Sequence, residues 1–159
     1  MNRIFLAPLL IILLFCNFCL PAGAKENKTI IGRIERVSFP NHNFSLAARV
    51  DTGAHTSSMH MENSKLTKVN GQAYIEFDTE DKKGNKYHFK TKIHKETKVK
   101  GDKEKRFIIR ETICLAKVCK EININLTDRA EYKNKFLLGR NFLRGQFLVD
   151  VSLSHALGD

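Results

Sequence analysis

The chain has 159 residues, a hydrophobic content of 42% and a formal net charge of +10 at pH 7. Once an N-terminal export segment is set aside, this length is enough for one domain with a real core and excludes two. The basic charge indicates an anionic partner, such as an acidic peptide or a membrane surface. We do not expect nucleic acid, because exported proteins seldom meet it and no basic helix with interleaved aromatic residues is present.

Residues 1–24 have the pattern of a cleaved signal peptide. Arg3 supplies a positive charge, residues 4–20 form an apolar run, and small residues at 22–24 resemble a cleavage site. We therefore expect an exported, periplasmic protein with one domain, residues 25–159, and a net charge of +9 after the loss of Arg3. No later apolar segment is long enough for a membrane helix, so we expect no stable membrane insertion. Retention of the first segment as an anchor is the alternative.

Short strands dominate the predicted secondary structure. In chain order they cover residues 29–39, 44–50, 56–61, 73–77, 87–93, 107–114, 119–126, 136–138 and 146–151, with turns at 40–43 and 81–85 and one helical turn near 140–143. Gly32 in the first strand indicates a bulge or a close approach of another backbone segment. Short strands separated by turns predict a closed or sandwiched all-β domain.

Cys114 and Cys119 are the cysteines that remain after the first 24 residues. They flank a predicted hairpin turn, which would place them opposite each other, and an oxidising compartment would allow a disulfide. The alternative is two half-buried free thiols, because cross-strand bridges are geometrically demanding. Without other soft ligands nearby in the sequence, the pair does not predict a zinc site.

The segment 82–105 is strongly basic, with ten lysines and three acidic residues. One interpretation is a solvated hairpin whose lysines protect a sheet edge from unwanted pairing. The other is a basic arm over a cleft, where it would attract an acidic substrate. The sequence leaves both open.

Asp51-Thr52-Gly53-Ala54 follows an apolar predicted strand and is the most informative motif of the chain. Aspartic peptidases present their catalytic carboxylate in this way. Two carboxylates close together can activate water and protonate a leaving amine, because they share one proton. The other Asp-Thr pair, at 78–79, is followed by Glu, so the chain supplies one carboxylate of this kind.

A second motif places Gly139-Arg140 directly after an apolar pair. Together the two motifs resemble the retropepsin-like aspartic peptidases. The resemblance implies an all-β fold, namely a retropepsin-like closed β-barrel (the half-barrel of acid proteases) with one short C-terminal helix. It also implies a homodimer with a dyad of Asp51 from both subunits. Thr52 would steady the loop across the axis, and Gly53 would offer backbone groups to the substrate.

His55 departs from the retropepsin pattern, in which viral members carry an acidic partner of the arginine at this position. The usual ion pair of Arg140 is therefore absent, and Asp150 is a substitute candidate because it lies nearby in the sequence. His55 near the dyad would favour ionised carboxylate and move the pH optimum toward neutrality. Ala54, His55 and Gly139 complete the residues expected to bind substrate or support the site.

Residues 31–157 are similar to a bacterial family commonly labelled ATP-dependent zinc proteases. The label fits the chain badly, because neither a phosphate-binding Gly-Lys-Ser/Thr loop nor a His-Glu-x-x-His motif is present. His55 and His60 would lie on opposite faces of a strand. We therefore expect no metal and no cofactor. Retropepsins also carry a flap with a glycine tip, for which 70–71 and 83–85 are candidates.

Three functional hypotheses follow. The first is an exported aspartic endopeptidase, and the link of some family members with ligases that build glutamate tails implies acidic or glutamate-rich peptides as substrates. The second is a non-catalytic retropepsin-like module that binds acidic peptide or envelope polymer. The third is a metallopeptidase, as the family label would have it.

Overall fold

The computed structural model describes residues 27–98 and 105–158, so the predicted signal peptide lies outside the described residues. The strands are β1 (Thr29–Ile31), β2 (Ile34–Phe39), β3 (Phe44–Val50), β4 (Ser57–His60), β5 (Glu62–Val69), β6 (Gln72–Glu80), β7 (Lys86–Lys98), β8 (Lys105–Leu115), β9 (Val118–Thr127), β10 (Phe136–Leu138) and β11 (Phe147–Val149). A 3-10 helix, Pro40–His42, joins β2 to β3, and the helix α1 (Arg140–Leu143) precedes β11. In the described residues, no helix is long and apolar enough to cross a membrane.

Six strands close into a barrel in the order β2-β3-β10-β4-β9-β8, and β8 returns to β2 through the pair Ser38 and Cys114. Apolar residues alternate along β3 and β9 and point into the barrel. Phe39, Phe89 and Phe136 are fully buried in this core, where the ring of Phe39 packs edge-on against the other two. The predicted all-β barrel with one short C-terminal helix is confirmed.

Strand β10 runs between β3 and β4 and positions the two sequence motifs side by side. It is parallel to β3, with Leu138 opposite Val50, and antiparallel to β4, with Phe136 opposite Met59. The chain after β3 and the chain after β10 therefore emerge at the same edge of the sheet. Asp51 follows β3 directly, so the barrel delivers it to this edge.

The sheet continues beyond the barrel as a region that we call the lysine-rich extension, residues 62–98, which contains β5, β6 and β7. Strand β5 was not predicted, because its residues do not alternate and nearly all of them are exposed. Residues 86–92 of β7 pair with β6, and residues 93–98 pair with β8. Among the described residues each half of β7 is therefore paired along one side, so both interpretations of the lysines of 82–105 stay predictions, and residues 99–104 lie outside the described residues.

The predicted first strand, 29–39, is divided into β1 and β2 at Gly32. A Cβ atom on Gly32 would lie 2.7 Å from the backbone carbon of Leu153, which confirms the predicted close backbone approach. The fully buried Glu35 carboxylate binds the same region, because Oε1 accepts hydrogen bonds from the Gly32 and Ala156 backbone N–H groups. These contacts hold the C-terminal segment against β2.

The β8–β9 hairpin carries the cysteine pair. Cys114 lies directly opposite Cys119 in the register, and the structure joins them in a disulfide with a Cα–Cα distance of 4.1 Å. Asn123 lies four residues further along β9 and contacts the Asp51 region. At about 3.3 Å per strand residue, the disulfide therefore lies about 13 Å from that contact and takes no part in the site.

Candidate active site

Asp51 lies where β3 leaves the sheet, and backbone N–H groups of the following loop fix the orientation of its carboxylate. Its N–H donates to the carbonyl of Leu138 at 3.0 Å, which extends the β3–β10 pairing by one residue. Its Oδ1 accepts hydrogen bonds from the N–H groups of Gly53, at 2.9 Å, and Ala54, at 3.1 Å. No described residue donates to Oδ2. In this half-buried carboxylate, the loop therefore binds Oδ1, and Oδ2 has no donor among the described residues.

Arg140 holds the same loop from the other side. Its Nη1 donates to the carbonyl oxygens of Thr52, at 2.9 Å, and Gly53, at 2.7 Å. Asp150, suggested as its substitute partner, instead accepts hydrogen bonds from the N–H and hydroxyl of Ser152 at 2.9 and 2.6 Å. These two bonds lower the pKa of Asp150. The Arg140 guanidinium therefore stabilises the loop through its backbone carbonyls. These bonds take the place of the ion pair that viral retropepsins form with an acidic residue at the position of His55.

A hydrogen-bonded network that the sequence did not predict joins the two motifs. The Gly139 N–H donates to Ser57 Oγ at 3.0 Å, and Ser57 donates to Asn141 Oδ1 from its hydroxyl, at 2.9 Å, and from its N–H, at 3.0 Å. Asn141 Nδ2 in turn donates to the Asn123 carbonyl at 2.8 Å. A Cβ atom at position 139 would lie 2.8 Å from the carbonyl carbon of Thr56, so only glycine allows this approach. The sequence does carry a signal, since Ser57 lies three residues after Ala54 and Asn141 directly follows Arg140.

The start of α1 is bonded to the loop through backbone groups as well. The N–H groups of Arg140 and Asn141 donate to the carbonyls of Ala54, at 2.9 Å, and His55, at 3.1 Å. The His55 side chain is exposed and shares a hydrogen bond of 3.1 Å with Thr56 Oγ1. The structure therefore brings together every residue that the sequence assigned to the site. The proposed effect of His55 on the pH optimum stays a prediction.

Comparison with known proteins agrees with this geometry. A family model described as RimB-like, retropepsin-like aspartic endopeptidase RimB, matches residues 30–157. The chain belongs to the RimB-like family. This confirms the retropepsin-like resemblance, and the matched range includes both motifs and the strands that position them.

Two curated relatives of the chain are named probable alpha-L-glutamate ligases. The protein from Shewanella pealeana is 33% identical over an aligned length of 141 residues, and the match covers 84% of this chain and 31% of the relative. The protein from Desulfotalea psychrophila is 30% identical over an aligned length of 148 residues, and the match covers 83% of this chain and 30% of the relative. The chain therefore spans about a third of the length of each. A solved structure from Legionella pneumophila, a DUF785 protein of unknown function, has a TM-score of 0.71 and 28% identity, over 82% of this chain and 98% of that one.

The histidines of this RimB-like chain lie apart from one another, and the described residues contain no cluster of three His, Cys, Asp or Glu side chains that could hold a metal. His60 is 3% exposed, and its Nδ1 accepts a hydrogen bond of 2.9 Å from the Arg129 N–H. Burial lowers the pKa of His60. A neutral imidazole fits these contacts, so we regard the 3.6 Å approach of Asp128 as a polar contact and not as an ion pair.

Proposed function

We propose that this RimB-like protein is an exported, homodimeric aspartic endopeptidase whose dyad is formed by Asp51 of two subunits. The observation that carries the proposal is the Asp51 carboxylate, whose Oδ1 is held by the loop while no described residue donates to its Oδ2. Arg140 and the Ser57–Asn141 network fix the loop that bears it. Such a preorganised carboxylate can act on a water molecule or on a second carboxylate.

The requirement for two subunits follows from the single Asp-Thr-Gly motif of the chain. A two-fold axis places the same residue of both subunits at one point, so it supplies the second carboxylate. An exposed apolar surface supports this arrangement, since Ile30, Leu148 and Val151 are 55%, 53% and 76% exposed. Leu148 also lines a cavity of about 340 Å³ together with Thr52. A second copy that covers this surface would approach the catalytic loop.

In the proposed reaction, one carboxylate of the dyad accepts a proton from water while the water oxygen attacks the peptide carbonyl carbon. The other, protonated, carboxyl donates its proton to the carbonyl oxygen. The tetrahedral intermediate then breaks at the C–N bond, and the leaving amine takes a proton from one carboxyl of the dyad. The other carboxylate takes a proton from a hydroxyl of the intermediate, which yields the product carboxylic acid and restores the starting protonation of the dyad. Two carboxylates at short distance suit these roles, because their repulsion keeps one proton between them.

Acidic or glutamate-rich peptides are the proposed substrates. Residues 25–159 carry a net charge of +9, which favours an anionic peptide near the site. The relatives named probable alpha-L-glutamate ligases agree with a role in glutamate chemistry. Export, and the periplasm as the compartment, are proposed from the pattern of residues 1–24.

The test is hydrolysis of a peptide pool that includes oligoglutamates, from pH 3 to 8, with products identified by mass spectrometry. We expect Asp51→Asn to lower the rate about 100- to 10,000-fold, the usual size of a general acid–base contribution. A chelator should leave wild-type activity unchanged. If the dyad spans two subunits, mixing wild type with excess Asp51→Asn should lower activity as the square of the wild-type fraction.

A second candidate is a binding module for acidic peptide or envelope polymer. The observation in its favour is that the curated relatives carrying this segment are named ligases and not peptidases. Peptide binding without cleavage, unchanged in a folded Asp51→Asn protein, would replace the peptidase proposal with this one. Activity that is lost on chelation and kept by Asp51→Asn would favour the metallopeptidase.

A further inference from the structure

A cavity of about 490 Å³ lies beside the catalytic loop, at the end of β3. It is lined by Arg33, Ile34, Arg49, Val50, Asn134 and Val151. Two of these residues are exposed arginines, and no acidic side chain lines the cavity. The proposed reaction assigns no role to any of them.

The geometry of β3 connects this cavity to Asp51. Arg49 lies two residues before Asp51, and side chains at this spacing point to the same side of a strand. Arg49 is exposed while its neighbour Val50 is buried in the barrel, as this alternation requires. The Val50 N–H donates to the Arg33 carbonyl at 2.9 Å, and Ile34 pairs with Arg49 in the register. Both arginines therefore lie beside the end of β3, from which the chain continues directly into Asp51.

A third guanidinium lies behind this surface. Arg129 is 7% exposed and donates to Ser58 Oγ at 3.3 Å and to the Asn134 carbonyl at 3.4 Å. Burial lowers the pKa of Arg129, and the charge of Arg49 acts in the same direction, whereas Asp51 opposes it. Arg129 is thus within electrostatic reach of both. The region around the cavity has an excess of positive charge that Asp51 alone does not neutralise.

Asn134 supplies an independent observation. It is 9% exposed, it lines the cavity, and its Oδ1 has no hydrogen-bond partner among the described residues. A buried acceptor without a partner is costly, and because this atom has almost no accessible surface, a buried water and not a ligand is expected to satisfy it. The cavity therefore offers a ligand the positive charge of two exposed guanidinium groups beside a wall that contains Asn134.

We infer that this cavity is the specificity subsite for an acidic side chain of the substrate. Arg33 and Arg49 bind the side-chain carboxylate, and Asn134 forms part of the wall of the subsite. A glutamate or aspartate residue within a peptide brings its carboxylate to this place together with the scissile bond, whereas a free inorganic anion brings only the charge. The inference rests on the proposed peptidase function, because in it these residues select the peptide that Asp51 hydrolyses.

The test compares kcat/KM for matched peptides that carry Glu or Gln at each position around the scissile bond. Charge-assisted hydrogen bonds are among the stronger ones, so Arg49→Gln should lower kcat/KM for the Glu peptide about 10- to 100-fold. The same substitution should change cleavage of the Gln peptide by less than about threefold. Arg33→Gln should act in the same direction, and Arg49→Lys should retain part of the preference.

The matched control is Arg36→Gln. Arg36 is exposed on β2 and lies outside this cavity, so its loss should leave the Glu-to-Gln preference unchanged. An equal loss for both peptides in Arg49→Gln would overturn the proposal, because it would mean that Arg49 only positions the catalytic loop. Competition by inorganic phosphate as strong as that by a Glu peptide would also overturn it, because the cavity would then bind anions in general.

A binding measurement keeps this inference separate from the peptidase proposal. Calorimetry with Asp51→Asn protein and the Glu and Gln peptides does not depend on hydrolysis. A preference for Glu that Arg49→Gln removes would support the subsite even if no peptide is cleaved. Equal binding of both peptides would overturn the subsite even if Asp51 proves catalytic.

Discussion

The loop around Asp51 and the lysine-rich extension use their polar groups in opposite ways. Around the loop, Gly139, Ser57 and Asn141 form a chain of hydrogen bonds in which backbone groups take part at every step. In the extension, backbone N–H groups bond to Asp81 at one turn, but many polar contacts join long side chains at the surface, such as Lys90 and Glu76 at 2.8 Å. The side chains that hold the loop could therefore be replaced by few other residues. The surface side chains that pair in the extension could be replaced by many.

This difference also limits what the basic charge of the extension can do. Lys86 and Lys90 of the extension form ion pairs with Glu62 and Glu76, and Lys105 of β8 forms one with Glu96. Each pair removes a charge from the field that an approaching acidic peptide would meet. The lysine content of 82–105 thus overstates its attraction for such a peptide, which favours a substrate-binding role for the arginines beside Asp51.

The largest expected effect is at Gly139. In Gly139→Ala, the new methyl group would lie 2.8 Å from the carbonyl carbon of Thr56, and backbone would have to move. We expect the free energy of unfolding to fall by about 3 kcal/mol, the upper part of the range for overpacking, and the proposed peptidase activity to be lost with it. Urea denaturation and the oligoglutamate assay measure the two effects.

The matched control in the extension is Gly71→Ala. Gly71 has a φ of +77° at a hairpin tip, and nothing lies within 4 Å of the position of its Cβ. Only the left-handed backbone is unfavourable there, which costs about 1 kcal/mol. Equal destabilisation by the two substitutions would mean that the Thr56 backbone yields easily and that the loop is not fixed by this contact.

A smaller effect is expected at Asn141. In Asn141→Ala, the Ser57 N–H and the Asn123 carbonyl lose their partners. We expect a loss of about 2 kcal/mol, because unsatisfied, partly buried groups cost about 1–3 kcal/mol each and water would replace part of the loss. In the extension, Asn85→Ala removes an exposed 2.8 Å bond to Asp81 and should cost about 0.5 kcal/mol or less. If Asn141→Ala and Asn85→Ala lower the free energy of unfolding equally, the loop is not held more specifically than the extension.

The comparison also explains what the sequence predicts well. Asp51 and Gly139 are predicted because their motifs depend on local backbone geometry, and β9 is predicted within two residues as a strand over 119–126. Strand β5 was missed, because an exposed strand has no apolar periodicity, and its partner β6 determines its conformation. Arg49 and Asn134 lie 85 positions apart in the sequence, so no local pattern indicates that they line one cavity. Only the position of β10 between β3 and β4 brings them together.

The smallest expected effect is a difference between the barrel and the extension in how the free energy of unfolding depends on pH. Burial lowers the pKa of His60 in the barrel, and Lys135 adds to this, although Asp128 opposes it. In the unfolded chain a histidine binds a proton near pH 6.5, about its ordinary pKa, while the folded His60 stays neutral. Since the unfolded state then holds more protons, stability should fall as the pH drops from 7 to 5. In His60→Asn, which keeps an acceptor without titrating, this fall should be shallower in urea denaturation at pH 7, 6 and 5.

Asp81 in the extension provides the control for the range from pH 7 to 5. Burial acts to raise its pKa, but hydrogen bonds from Asn85 and Lys83 lower it overall. A carboxylate with a lowered folded-state pKa stabilises the protein above its unfolded pKa of about 3.9 and loses this effect as the pH falls through its folded-state value. Asp81→Asn should therefore shift the stability curve between pH 7 and 5 without changing its slope. If the slope in His60→Asn equals that of wild type, His60 does not titrate on unfolding in this range, and the pH response of the barrel must come from other groups.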